Sequence, residues 1–131
     1  MTTYDQIWTS FLSNCKTSGI DLPQTPEKIY DVIHNAIRHF NNRLRDNLSW
    51  DDNNEVVNRE LSDDHLLILS HYIRYIFLLN QKTYFQNLFQ PFTNDIGLKN
   101  FSNQLKSLES SVTEEKDEID RLIMNTEEDF L

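Results

Sequence analysis

Apolar residues recur every three or four positions along most of this chain, a spacing that predicts amphipathic α-helices. The first helix is expected to end near Gly19, a residue suited to a left-handed C-terminal cap. The second is expected to begin where the Thr25 side chain caps the turn that starts at Pro26. The pattern therefore predicts an all-α fold with four main helices in a bundle, over residues 3–18, 26–45, 62–90 and 100–125.

The third and fourth predicted helices differ in how their apolar residues are arranged. Between Leu66 and Leu79 apolar residues point in nearly every direction, and a helix that is apolar all round is expected to be buried all round. We therefore place the third helix at the centre of the bundle. The fourth helix carries a near-heptad apolar seam from Phe101 to Leu122, which Glu115 interrupts.

Between the second and third helices, residues 46–61 show no helical period and predict a long loop, with a weak strand pattern from Glu55 to Asn58. This region is acidic, since residues 46–64 hold seven acidic residues against Arg59 alone. A second acidic band spans 109–131. Bands of this kind could let neighbouring copies meet with opposite potentials, although they also fit ordinary solvated surfaces.

Length and composition narrow the possible functions. A chain of 131 residues, 38% hydrophobic and 11% aromatic, fits one folded domain over residues 1–131. The 12 basic and 21 acidic residues give a net charge of −9, which disfavours nucleic-acid binding through clustered cations. Two glycines are too few for the usual phosphate-binding loops. The apolar stretch from His65 to Leu79 is too short for a membrane span, so no membrane association is expected.

No pattern of residues indicates catalysis. None of the four histidines lies four residues from another, and none follows a glutamate at the spacing of a di-iron bundle. Cys15, the single cysteine, lies on the apolar stripe of the first helix with no histidine near it in sequence, which favours a structural role. We expect no catalytic residues, no metal, no cofactor and no enzymatic activity.

Large apolar residues continue beyond the part of the third helix that can fill the centre of a four-helix domain. Such residues would remain partly exposed, and exposed apolar patches usually mark a binding partner. The alternative is that they cap one end of the core. The candidate subunit or partner interface comprises Tyr84, Phe85, Leu88, Phe89 and Phe92.

From Trp50 to Leu122 the chain resembles the head-tail connector proteins of tailed bacteriophages, also called adaptor or head-completion proteins. Three features carry the resemblance: the acidic loop Trp50-Asp51-Asp52-Asn53-Asn54-Glu55, the step from Asn58 to Asp63 before an apolar third helix, and the Phe101-Ser102 pair at the start of a long charged helix.

The resemblance implies a helical, non-enzymatic protein that forms a ring, commonly of twelve copies, beneath the portal. The implied partners are other copies of the chain, the phage portal protein and a tail or neck completion protein. DNA would pass through the channel without sequence-specific binding. The implied location is the neck of the virion, after assembly in the host cytoplasm. Asp51, Asp52 and Glu55 are then candidates to face the channel or a neighbouring copy.

A different function class stays open. A soluble helical regulator or chaperone that binds a single protein partner would have the same composition and the same helices. Its mass in solution, alone and with a portal, would separate the two: rings indicate an adaptor, whereas a stable monomer with one partner indicates a regulator.

Overall fold

A computed structural model describes residues 1–17, 22–23, 25–89 and 98–128. The main chain of this part forms four α-helices and one small hairpin, and the predicted all-α class is confirmed. In chain order the elements are α1 (Tyr4–Asn14), α2 (Pro26–Leu44), β1 (Trp50–Asp51), β2 (Val56–Val57), α3 (Asp63–Phe89) and α4 (Leu98–Glu128).

The third helix lies at the centre, as its apolar pattern predicts. α1, α2 and α4 each pack against α3. Ile68, Leu69 and Ile73 of α3 are fully buried. Ser70 is also fully buried, and its hydroxyl donates to the carbonyl oxygen of Leu66 and accepts a hydrogen bond from the Ser10 hydroxyl of α1. The polar group inside this helix is therefore satisfied within the fold.

The first two helices begin and end differently from the sequence-based expectation in two respects. α1 stops at Asn14 rather than near Ser18, because Cys15 adopts an extended backbone with φ −115° and ψ 147°. The predicted cap at Gly19 lies outside the described residues. Thr25 does occupy the position before α2, but its side chain forms no capping hydrogen bond. Pro26 alone, with φ already fixed for a helix, marks this start.

The two later helices agree more closely with prediction. Ser62 precedes α3, and its hydroxyl oxygen accepts a hydrogen bond from the His65 amide at 3.2 Å, so the predicted cap is confirmed. α3 runs on to Phe89 without a break in the described residues. α4 is 31 residues long, whereas the sequence predicts about 25 over 100–125. The helix therefore begins two residues earlier and ends three residues later than predicted.

The predicted loop contains a two-stranded antiparallel hairpin in which Trp50 pairs with Val57 and Asp51 pairs with Val56. The strand expected between Glu55 and Asn58 is thus present at Val56–Val57. Backbone hydrogen bonds join the hairpin to the first residues of the chain: the Val57 amide donates to the Thr2 carbonyl at 2.9 Å. This contact fixes the acidic region against α1.

Candidate functional site

An open groove lies beside the second half of α3, next to the start of α2. Its volume is about 610 Å³. Phe77, almost fully buried, and Val32 contribute apolar surface, while Leu22 and Tyr84 contribute exposed apolar surface. Tyr84 is 67% exposed, an unusual state for a large aromatic side chain. The groove therefore has the apolar wall and exposed aromatic rim of a protein-binding surface.

The structure locates part of the predicted aromatic interface. Tyr84 is exposed and lines the groove, whereas Phe85 is half-buried. Leu88 and Phe89 belong to the last turn of α3 by their backbone, but their side chains lie outside the described residues. Phe92 also lies outside the described residues. The interface as a whole stays a prediction. Tyr84 is the member that the structure describes as exposed at the groove.

The acidic turn of the hairpin is held to the body of the protein by Asp52. Its Oδ1 atom accepts a hydrogen bond from the Tyr4 hydroxyl at 2.5 Å and lies 2.7 Å from Nε2 of His34. These two hydrogen bonds lower the pKa of Asp52 below its usual value. Burial, together with this carboxylate, raises the pKa of Tyr4 well above its usual value. A carboxylate predicted to face the channel or a neighbour thus links the hairpin to α1 and α2.

The other two candidate acidic residues shape the turn. Asp51 accepts hydrogen bonds from the amides of Asn53 and Asn54, at 3.0 and 3.3 Å, and from the Asn54 side chain at 2.7 Å. Glu55 has a left-handed backbone with φ 54°, and its carbonyl oxygen accepts a hydrogen bond from the Tyr4 amide at 2.8 Å. Glu55 remains exposed. The turn is therefore a rigid acidic projection rather than a loose loop, and which surface it faces in an assembly stays a prediction.

Aromatic stacking supports the base of the hairpin. The His34 ring stacks on Trp50 with ring centroids 4.3 Å apart and an interplanar angle of 13°. The Arg38 guanidinium carbon lies 5.1 Å from the Trp50 ring centroid, which is cation–π geometry. Trp50 thus packs against two residues of α2 and attaches the hairpin to that helix.

A buried polar cluster, missed by the sequence analysis, joins α1, α3 and α4. Glu115 of α4 is only 5% exposed. Its Oε1 atom lies 2.6 Å from Nδ1 of His71, and its Oε2 atom accepts a hydrogen bond from Nη1 of Arg74 at 2.5 Å. Nε of Arg74 donates to the Lys16 carbonyl oxygen at 3.0 Å. The carboxylate that interrupts the apolar seam of α4 is thus paired with two cations of α3.

The same cluster gives Cys15 a histidine neighbour that its sequence surroundings do not show. Burial by itself lowers the pKa of His71, but hydrogen bonds to Cys15 and Glu115, together with the charge of Glu115, raise that pKa to about 10. Cys15 is buried and does not line the groove. These contacts favour a structural role for Cys15, which follows the last residue of α1.

Two further properties concern the described part of the chain. No group of three or more histidine, cysteine, aspartate or glutamate side chains there is arranged to hold a metal ion. None of its helices is long and apolar enough to cross a membrane.

Comparison with known proteins places the chain among prophage proteins. A family model described as YomZ prophage protein matches residues 1–128. The SPbeta prophage-derived uncharacterized protein YomZ of Bacillus subtilis (strain 168) is 64% identical over 131 residues, a match that covers all of both chains. No solved structure matches the chain.

Proposed function

The chain belongs to the YomZ prophage protein family, and we propose that in its phage it acts as a structural head-tail connector. Copies of the chain would form a ring beneath the portal, extend the DNA channel and provide a docking surface for the tail. The phage setting follows from the family. The connector role is supported by the resemblance from Trp50 to Leu122 and by the surfaces described above.

The observation that carries the proposal is the exposure of Tyr84 at the rim of the groove. A large aromatic side chain left 67% exposed beside apolar surface is stabilised when a partner covers it. Tyrosine is also enriched among the residues that dominate binding energy in protein interfaces. The groove therefore supports a role in assembly, with a neighbouring copy or the portal as the covering surface.

A closed ring needs two different and complementary surfaces on each subunit, since its contacts are heterologous. The groove at α3 is one candidate surface. The acidic hairpin turn is a second, because Asp51 and Asp52 hold it in one conformation through hydrogen bonds. A turn that is rigid before binding loses less conformational entropy on docking than a flexible loop. The presence of two distinct candidate surfaces supports assembly into a ring.

Assembly on the portal tests the proposal. The purified chain is mixed with the portal protein of the same phage, and particle mass and shape are measured by mass photometry and electron microscopy. We expect rings of the chain on the portal. Tyr84→Ser should weaken this binding at least about 30-fold, as expected for an interface residue worth about 2 kcal/mol.

Met124→Ser is the matched control, because Met124 is also exposed, at 58%, but does not line the groove. This variant should assemble like the parent protein. If the chain did not bind the portal protein and instead bound one other protein as a monomer, the connector role would be contradicted. That result would favour the regulator or chaperone. Equal assembly by both variants would show that the groove is not the interface.

A further inference from the structure

A second pocket, of about 410 Å³, lies where the C-terminal end of α2 meets the middle of α3 and α4. We call it the basic pocket, because three cationic side chains line it: Arg43, Arg45 and Lys116. Asp120 is the one carboxylate among its lining residues. In a chain with 21 acidic and 12 basic residues, this concentration of positive charge runs against the overall balance.

The cations of the basic pocket are weakly paired. Nε of Arg43 lies 3.8 Å from Oδ1 of Asp120, a long contact, and both side chains are about half exposed. Arg45 and Lys116 form no ion pair within the described part of the chain. By contrast, Arg74 lies close to Glu115, and Arg59 lies close to Asp46. The pocket therefore has positive charge available for an external anion.

Backbone conformation and aromatic side chains shape the walls of the pocket. Arg45 adopts a left-handed conformation, φ 53° and ψ 43°, which costs a non-glycine residue about 1 kcal/mol. His39 stacks on Tyr72, with ring centroids 5.8 Å apart, and contacts Tyr75 edge-on at 6.0 Å. Burial is the main cause that raises the pKa of Tyr72 to about 12.

We propose that the basic pocket binds neighbouring carboxylates of an acidic protein segment. Arginine forks match the two oxygens of a carboxylate, and a lysine adds a point charge on the opposite wall. A DNA backbone fits less well, because three cations in one pocket cannot follow a strand. This binding does not depend on whether the chain is a connector or a regulator. The inference therefore goes beyond the proposed connector function.

The test uses the full-length chain and an acetylated, amidated hexaglutamate peptide. Binding is measured by isothermal titration calorimetry at low and at physiological salt, with a hexaglutamine peptide as the uncharged reference. We expect the hexaglutamate peptide to bind and to lose affinity as salt rises. The double variant Arg43→Gln, Arg45→Gln should bind it at least about tenfold more weakly, as expected when charge-assisted hydrogen bonds are removed.

Lys106→Gln is the control, since Lys106 is an exposed cation of α4 that does not line the pocket. This variant should bind like the parent, and far-ultraviolet circular dichroism should show the same helix content in all three proteins. Equal binding by the parent and the double variant would overturn the inference. Tighter binding of a short DNA duplex than of the peptide, or equal binding of inorganic phosphate and peptide, would also overturn it.

Discussion

Nδ1 of His71 lies 2.6 Å from Oε1 of Glu115, so a buried ion pair occupies the position where the apolar seam of α4 is interrupted. Arg74, one helical turn further along α3, contacts the other carboxylate oxygen. Glu115 is thereby surrounded by two cations in a region with little water. This arrangement links α3 and α4, the two longest helices of the described part of the chain.

Removing the carboxylate should destabilise the fold strongly. In Glu115→Ala, His71 and Arg74 lose their common partner while they remain largely buried. Breaking a buried ion pair from one side costs about 3–5 kcal/mol. Urea denaturation measures the loss. The exposed neighbour Glu114 supplies the control, since Glu114→Ala should change the free energy of unfolding by less than about 0.5 kcal/mol. Similar effects of the two substitutions would show that the buried contacts of Glu115 with His71 and Arg74 do not stabilise the fold.

His71 should make stability fall as the solution becomes alkaline. Its pKa is about 10 in the folded protein and about 6.5 in an unfolded chain. The folded state therefore binds more protons between these values, and the stabilisation that is complete below pH 6.5 is lost as pH rises through 10. The slope is up to about 1.4 kcal/mol per pH unit. Denaturation midpoints at pH 7 and pH 9 should differ more in the parent than in His71→Gln. If stability changed equally with pH in the parent and in His71→Gln, the raised pKa of His71 would be contradicted.

The hydrogen bond between Tyr4 and Asp52 should contribute to stability at neutral pH. Tyr4→Phe removes the hydroxyl donor and should cost about 1 kcal/mol, because Asp52 is partly exposed. The pKa of Asp52 is lowered in the folded state, so its contribution is present above pH 4 and is lost as pH falls through the folded value. The difference between parent and variant should therefore shrink at low pH. Tyr84→Phe, at an exposed tyrosine, should have almost no effect at any pH.

Thr2 should anchor the connection between the hairpin and α3. Its buried hydroxyl oxygen accepts a hydrogen bond from the Leu61 amide at 2.8 Å. Thr2→Val keeps the shape but leaves that amide without its acceptor, which costs about 1–3 kcal/mol. Thermal unfolding detects the loss, and the exposed Thr9→Val is the matched control. A neutral Thr2→Val would mean that water replaces the hydroxyl.

The periodicity of apolar residues was sufficient to predict the helices and the central position of α3. Residues Leu66 to Leu79 alone require a helix covered on all sides, and the structure surrounds it with α1, α2 and α4. The ends of the helices were harder to predict. Thr25 has a residue type that favours capping, but its side chain makes no such hydrogen bond.

The buried cluster could not be derived from local patterns. Glu115 and His71 are 44 residues apart, and nothing in the spacing of either residue indicates the other. The available signal was indirect: one carboxylate interrupts an apolar seam, while His71 and Arg74 lie three residues apart inside an apolar helix. Polar residues at such positions require partners. The acidic turn also needed long-range information, since Tyr4 and His34 fix Asp52 from two different helices.

The proposed connector role places this prophage protein in the neck of the virion. Cryo-electron microscopy of particles released after induction of the prophage tests it most directly, with the structure of the chain fitted into the density between portal and tail. We expect a ring of copies there, with Tyr84 covered by a neighbouring subunit or by the portal. Complete particles whose neck contains no density for the chain would contradict it.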